Sequence, residues 1–427
     1  MSRSILIAAI VLAAFAPAAQ TPATHTPATA ADYAGWRAQI RQALFIPEKL
    51  PDLDVRPYGK FSPVPGVVAE RVTYATLYGM RIPAIVYRPE KPSKDSPKSP
   101  GLVVVNGHSG DKTTWYAYYT GILYAKAGAV VVTYDPVGED ERNLDRASDT
   151  RQHDTVIPGP DMPRRMGGQM IADILQSAAY LAQRSDVDPA RIGVVAYSMG
   201  SFHAAIAGAI DPGIHALLLS GGGNLDGPDG YWDATSKIMC QGGPYRALQF
   251  LGDRGAVLYA LNANRGPTLV MNGTVDNLIV SPHTDEAFFE DLRLRTAAIT
   301  GSKQNLLETV WFANAGHRPS FITRPAALWL HHQLHFPNWT DGYINVMTEV
   351  HIRDWSDKSG GKVGRNWQSE ESEWGIQALD AGVPGIPRAD LQAVPNAIWQ
   401  EHKDDYTWQS WVLRAQAASK EHALAAH

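Results

Sequence analysis

One serine in this chain stands where a hydroxyl can be made nucleophilic. In Arg191-Ile-Gly-Val-Val-Ala-Tyr-Ser198-Met-Gly200, an apolar run of strand length ends at Tyr197, and an alanine-rich stretch of helical character follows Gly200. A small-x-Ser-x-Gly turn in that position is the signature of a nucleophile elbow, which lifts the serine hydroxyl above the sheet edge. Strand and helix approach closely there, so the residues two before and two after the serine must be small. Ala196 and Gly200 satisfy this, although glycine is more usual at the first. Ser220 and Ser359 also have a glycine two residues on, but Leu218 and Asp357 would crowd the turn. Ser99 sits in a Lys/Ser/Pro loop with no strand before it.

A serine hydroxyl is a weak nucleophile at neutral pH, so it needs a base, a group to orient that base, and donors for the developing oxyanion. When a serine sits on such an elbow, acid and base follow in the order Ser, acid, His, each after a later strand. Thr268-Leu-Val-Met-Asn-Gly-Thr-Val-Asp276 offers a strand, a Gly-Thr turn and an aspartate at the strand's C-terminal edge. Leu306-Leu-Glu-Thr-Val-Trp-Phe-Ala-Asn-Ala-Gly-His317 offers the base in the same way. Asp226, Asp229 and Asp233 are the fallback acids. His331, His332 and His335 read as helical, and His203 and His108 lie near the serine without the position of a base. For the oxyanion, the backbone N–H of Met199 opens the helix after Ser198, where unpaired N–H groups and the helix dipole favour negative charge. The second donor is expected from the glycine-rich turn Asn106-Gly-His108-Ser-Gly110, at His108. A metal site built on His108 is the competing idea. Asp111 is the only carboxylate close by in sequence and no second histidine sits at ligand spacing, so no metal and no cofactor are expected.

These residues need a scaffold, and the hydrophobic pattern supplies one. Residues 67–73 and 82–87 read as antiparallel lead-in strands, followed by a Lys/Ser/Pro loop over 90–100. Strands are expected at 102–106, 130–134, 192–197, 215–220, 268–271 and 306–312, with helices at 113–127, 169–183, after Ser198, at 282–293 and at 320–335. Short buried strands without polar alternation, separated by helices, indicate an α/β fold with a doubly wound, mostly parallel sheet. Any site then lies along the edge formed by the strand C-terminal ends. The glycine- and aromatic-rich segment from about 222 to 265, with weak periodicity, reads as a cap insertion. After Pro337 the character changes: residues 338–427 hold seven of the twelve tryptophans. This C-terminal extension either packs on the core or forms a small lobe. Its aromatics either dock on the surface or stack on sugars.

At 427 residues and 44% hydrophobic, the chain can bury a large core. Its formal charge of −5, with no basic block to offset it, argues against nucleic acid as a partner. Residues 1–19 read as a secretory signal peptide: Arg3, an apolar stretch from Ile5 to Ala16, then small residues for cleavage. Residues 20–31, rich in Thr, Pro and Ala, read as a flexible leader, and 32–337 as the main domain. The mature protein is therefore expected to be secreted or periplasmic, without a membrane anchor. The single cysteine, Cys240, forms no internal disulfide.

Four stretches together resemble the bacterial α/β-hydrolases of the dienelactone-hydrolase and acetyl-xylan-esterase-like group. They are Asn106-Gly-His-Ser-Gly110, Tyr134-Asp-Pro-Val-Gly138-Glu139, Asp188-Pro-Ala-Arg-Ile-Gly193 running into Ser198, and Gly273-Thr-Val-Asp276 with Ala315-Gly-His317. The resemblance spans roughly 67 to 335. It departs at Asn106, where the family usually has His, at Ala196, usually Gly, and at Ser201, often Gly. It implies an α/β-hydrolase fold, a Ser198–His317–Asp276 triad with an acyl-enzyme, and a loop from Tyr134 to Glu139 that shapes the cleft. The expected substrate is a small ester or an esterified carbohydrate. A serine peptidase of the prolyl-oligopeptidase kind, or a non-catalytic carbohydrate-binding relative, are the rival readings.

Overall fold

Nine strands build one mixed sheet. In a computed structural model that describes residues 27–91, 98–278, 285–364 and 375–425, they are β1 (Arg56–Val64), β2 (Val67–Ala75), β3 (Arg81–Pro89), β4 (Ser99–Val105), β5 (Val130–Tyr134), β6 (Val187–Tyr197), β7 (Ala216–Ser220), β8 (Thr268–Gly273) and β9 (Glu308–Phe312). Across the sheet the order is β1-β2-β3-β5-β4-β6-β7-β8-β9. The first three strands are antiparallel to one another and β3 is antiparallel to β5. Every pair from β5/β4 through β8/β9 is parallel. β1 was not expected from the sequence; most of its residues are exposed or half-buried, so it lacks an apolar face. The expected Lys/Ser/Pro loop gives way to β4 at Ser99, which pairs with Val187.

The winding reverses between β4 and β6. The chain leaves β4 toward β5 on one side, and β6 begins the growth of the sheet on the other. A crevice opens outside the C-terminal ends of the strands at such a reversal. The turn at 106–110 and Ser198 therefore flank the same opening.

Both faces of the sheet are covered, which is why its parallel strands carry no polar alternation. Val103, Val105, Val194, Ala196, Leu217 and Leu219 pack on one face, and Leu102, Val104, Val131, Val195 and Leu218 on the other. The first face carries α1 (Ala30–Ala43), α3 (Met162–Gln183), α4 (Met199–Ile210) and the helix Arg254–Arg265. α3 starts earlier than the periodicity suggests. Its Gly167-Gly168 pair lies inside the helix, and a Cβ on Gly168 would stand 1.9 Å from the Leu44 carbonyl at the end of α1. These glycines serve close packing rather than termination.

Two expectations about segments change. The helix Arg254–Arg265 is a buried crossover between β7 and β8, with Asn262 Nδ2 donating to the Ala205 carbonyl of α4 at 2.9 Å. The insertion over the sheet edge is therefore 222–253 rather than 222–265. The leader is already fixed by Ala28, whose N–H donates to the Ile299 carbonyl, and Thr29 and Asp32 form a capping box at the start of α1. The signal-peptide segment 1–19 and residues 20–26 lie outside the described residues, as do 282–284 of the helix expected at 282–293. That helix runs from Glu286 to Thr300.

The extension packs on the second face up to its last helix, Trp408–Ala425, which lies against α3. α2 (Trp115–Lys126) is buried over its whole length up to Lys126, as a helix apolar all round must be. The sheet covers one side of α2 and the extension the other. Trp355 sits 5.3 Å from the Tyr119 ring and donates its indole N–H to the Val383 carbonyl. Trp339, Trp399 and Trp411 are buried as well. Among the described tryptophans of the extension, packing against the core is thus the rule; Trp367 and Trp374 lie outside the described residues.

Candidate active site

Ser198 occupies the sharp turn between β6 and α4 with φ +55° and ψ −120°, a conformation that costs a non-glycine residue about 1–3 kcal/mol. The surroundings hold it there. Its N–H donates to the Ser220 carbonyl of β7 at 2.9 Å, and the Ser201 hydroxyl below it donates to the Ala196 and Ser220 carbonyls. A Cβ on Gly200 would stand 2.6 Å from the Asn106 carbonyl, so only glycine lets α4 meet the end of β4.

The Ser198 hydroxyl lies 2.7 Å from His317 Nε2, and His317 Nδ1 lies 2.8 Å from Asp276 Oδ2. Asp276 is fully buried, and its Oδ1 accepts the Leu278 N–H. The turns after β8 and β9 are laced together: the Thr274 N–H donates to the Phe312 carbonyl, and the Val275 N–H to the Ala315 carbonyl. A Cβ on Gly273 would come within 1.9 Å of the Ala315 oxygen, which makes this glycine the condition for bringing acid and imidazole together. Tyr197, read from the sequence only as the end of a strand, positions the imidazole. Its ring lies 4.9 Å from that of His317 and its hydroxyl donates to the His317 carbonyl.

The structure does not bring the alternative residues to Ser198 as base or acid. Asp226 accepts the Trp232 N–H, Asp229 donates its N–H to Asp233, and Asp233 pairs with Arg254. Burial pushes the Asp226 carboxyl up to about 6. His332 pairs with Asp341 on the protein surface. His203 bonds the Cys240 carbonyl at 2.7 Å, and burial pushes its imidazole down to about 4.

The turn after β4 lies directly against the serine, since a Cβ on Gly107 would be 2.9 Å from Ser198 Cβ. The Gly107 N–H is taken by the Tyr116 hydroxyl at 3.3 Å. Met199 and His108 both line the cleft, whose volume is about 560 Å³. Its apolar wall includes Phe202, Leu225 and Trp232; its polar side includes Arg151, Lys237 and Gln241, and no carboxylate lines it among the described residues. The loop from Tyr134 to Glu139 acts at one remove. Glu139 accepts the N–H groups of Thr150 and Arg151, which places the Arg151 side chain at the cleft, and burial pushes the Glu139 carboxyl up to about 7.

The His108 side chain departs from expectation. Asp111 turns away, accepting from Thr113 and Ser148. The His108 imidazole instead meets Asp154 at 3.3 Å and Cys240 at 3.5 Å, and its ring lies 5.4 Å from that of His153. The sequence argument against ligands near His108 rested on spacing, and tertiary structure supplies from 153–154 and 240 what spacing did not.

The model of the prolyl oligopeptidase family matches residues 160–345, the stretch that contains Ser198, Asp276 and His317. No curated protein matches the sequence. Among solved structures, the methylesterase BT1017 is similar over 92% of this chain and 76% of its own, at 16% identity and a TM-score of 0.58. A glucuronoyl esterase from Solibacter usitatus is similar over 76% of this chain and 99% of its own, at 14% identity and a TM-score of 0.52. The chain has the α/β-hydrolase fold. Within this fold the antiparallel lead-in strands, the reversal at β4/β6 and the elbow after β6 occupy the places that the resemblance implies.

Proposed function

We propose that the protein is a serine hydrolase that cleaves carboxylic esters through Ser198, His317 and Asp276. The observation that carries this reading is the unbroken hydrogen-bond chain from the Ser198 hydroxyl through the imidazole to a buried carboxylate. His317 takes the Ser198 proton as Oγ attacks the ester carbonyl, and returns it to the leaving alcohol. Water, deprotonated by the same imidazole, then frees the acid from the acyl-enzyme. Asp276 fixes the tautomer, with the proton on Nδ1 and the lone pair on Nε2 facing serine. Met199 and His108 offer backbone N–H groups for the oxyanion. Among the described residues no hydrogen bond engages either N–H, and Met199 opens α4, where the helix dipole adds to the field.

A small esterified carbohydrate is the substrate we favour. A cleft of about 560 Å³ with Trp232 and Phe202 on one wall and Arg151, Lys237 and Gln241 on another suits a polar, sugar-sized ligand. The family match supports a peptidase as a second reading. A peptidase that holds a free amino terminus needs an acidic partner for it, and the described cleft lining has two cations and no carboxylate. Labelling by a fluorophosphonate, mapped by mass spectrometry, should modify Ser198 and no other residue. Hydrolysis of p-nitrophenyl acetate and acetylated xylan, without cleavage of a proline dipeptide anilide, separates esterase from peptidase; the converse pattern overturns the assignment. We also infer export, from residues 1–19. No helix among the described residues is long and apolar enough to cross a membrane.

A further inference from the structure

Beside the cleft, three loops remote in sequence bring the ligand atoms of His108, Asp154 and Cys240 within 4.8 Å of one another, with His153 next to them. His108 comes from the turn after β4, His153 and Asp154 from the loop after β5, and Cys240 from the insertion after β7. Asp154 Oδ1 is 3.3 Å from His108 Nε2, 2.8 Å from Cys240 Sγ and 4.0 Å from His153 Nε2. Cys240 Sγ is 3.5 Å from His108 Nε2.

His153 gives an independent indication. Its Nδ1 lies 3.3 Å from the Val137 carbonyl, which can only accept, so Nδ1 carries the proton and Nε2 is a bare lone pair. That Nε2 belongs to a side chain with 0% exposure, has no hydrogen-bond partner, and faces the Asp154 carboxylate. The other oxygen of that carboxylate pairs with Arg151 at 3.3 Å, whereas the buried His153 lone pair forfeits the bond it would make in water.

We propose that His108, Asp154 and Cys240 form a zinc site, with the His153 Nε2 lone pair beside it. Tetrahedral zinc with bonds of about 2.0–2.3 Å holds its ligand atoms about 3.3–3.6 Å apart. The His108–Asp154 and His108–Cys240 separations already stand at that value. The Cys240–Asp154 separation is shorter, by less than about 1 Å from the tetrahedral edge. Binding releases the Cys240 thiol proton to solvent and shifts the His108 proton from Nε2 to Nδ1. Thiolate and carboxylate then balance the two positive charges. Sulfur and imidazole ligands select zinc over magnesium or calcium. Its three protein ligands come from three separate loops, so the ion acts as a fastener. It ties the turn that carries the His108 N–H and the loop that carries Arg151 to the insertion that walls the cleft.

The full chain, stripped with a chelator and dialysed against zinc chloride, should retain one zinc per chain by plasma mass spectrometry. Cobalt(II) in its place should give tetrahedral visible bands and a thiolate-to-cobalt charge-transfer band. Cys240→Ser should abolish that band, and Cys240→Ser and Asp154→Asn should each weaken zinc binding by more than about a hundredfold, beyond what outer-shell changes cost. Ser198→Ala should bind zinc as the parent does. Less than a tenth of an equivalent in the parent chain, or full binding by both ligand variants, overturns the site. If a ligand variant does not fold, the parent's cobalt spectrum decides, and absence of the thiolate band overturns the site.

Discussion

Two constellations of charge sit at the same edge of the sheet, and only one of them faces the cleft. Ser198, His317 and Asp276 form a hydrogen-bonded row that ends at the opening. A few residues on from the turn after β4, Lys112 is clasped by Asp135, Asp140 and Glu141 at 2.5–2.8 Å, with all four side chains at 0% exposure. Burial opposes the charge on Lys112, but these carboxylates outweigh it and hold the ammonium well above its ordinary pKa. Arg388, Gln392 and the backbone N–H groups of Ala393 and Val394 close the cluster from the extension. Both regions use buried carboxylates against a basic group. The difference is access: the first includes a hydroxyl on a strained turn at a cavity, whereas the second is sealed by the chain's own tail. A perturbed, buried ion group is therefore not in itself a sign of chemistry here.

Substitutions that separate rate from stability sharpen this contrast. Ser198→Ala should lower ester turnover by four to six powers of ten, about 5–8 kcal/mol of barrier, and leave the denaturation midpoint in place. Retention of near-parental kcat would remove Ser198 from the mechanism. Asp276→Asn should cost about four powers of ten by giving the imidazole the wrong tautomer. Steady-state kinetics at saturating ester reads this directly. Lys112→Met should do the opposite. It leaves buried carboxylates uncompensated and should destabilise the fold by about 3–5 kcal/mol in urea titrations, with turnover per folded molecule nearly unchanged. A large rate loss without a stability loss would erase the distinction between the two regions.

The smallest effect concerns pH. The Glu139 carboxyl, pushed up to about 7 by burial, binds a proton in the folded chain at pH values where the unfolded chain has released it. Between the ordinary carboxylate value of about 4.3 and that point, the unfolded state binds fewer protons, so this group's contribution to stability falls as pH rises. Glu139→Gln should flatten that part of the profile when melting temperature is followed from acid to neutral pH. An unchanged slope would show that Glu139 is not the group responsible.

Much of this was legible in the residues. The spacing around Ser198 implied the elbow because strand and helix can meet only across small residues, and Gly200 against the Asn106 carbonyl is that contact. Asp276 and His317 were readable because each follows an apolar strand and a tight turn. β1 was not legible, since an exposed edge strand has no hydrophobic period. The helix Arg254–Arg265 was read into the cap because the weak periodicity of its neighbours hid its apolar face. The extension's tryptophans carried no sign of direction. Trp339 and Trp355 cover α2, more than 200 residues earlier in the chain, while Trp399 reaches Glu141 and Trp411 reaches Tyr78.

The sequence alone determined which residues are suited to nucleophile, base and acid, and the strands that deliver them, because those depend on local patterns of size, polarity and turn chemistry. Tertiary structure alone decided what lies beside them. Cys240 and His153 meet His108, and Arg388 reaches Asp140, across separations in sequence that carry no local signal. Such contacts follow from how the sheet winds and the tail folds back, and no short stretch of chain encodes either.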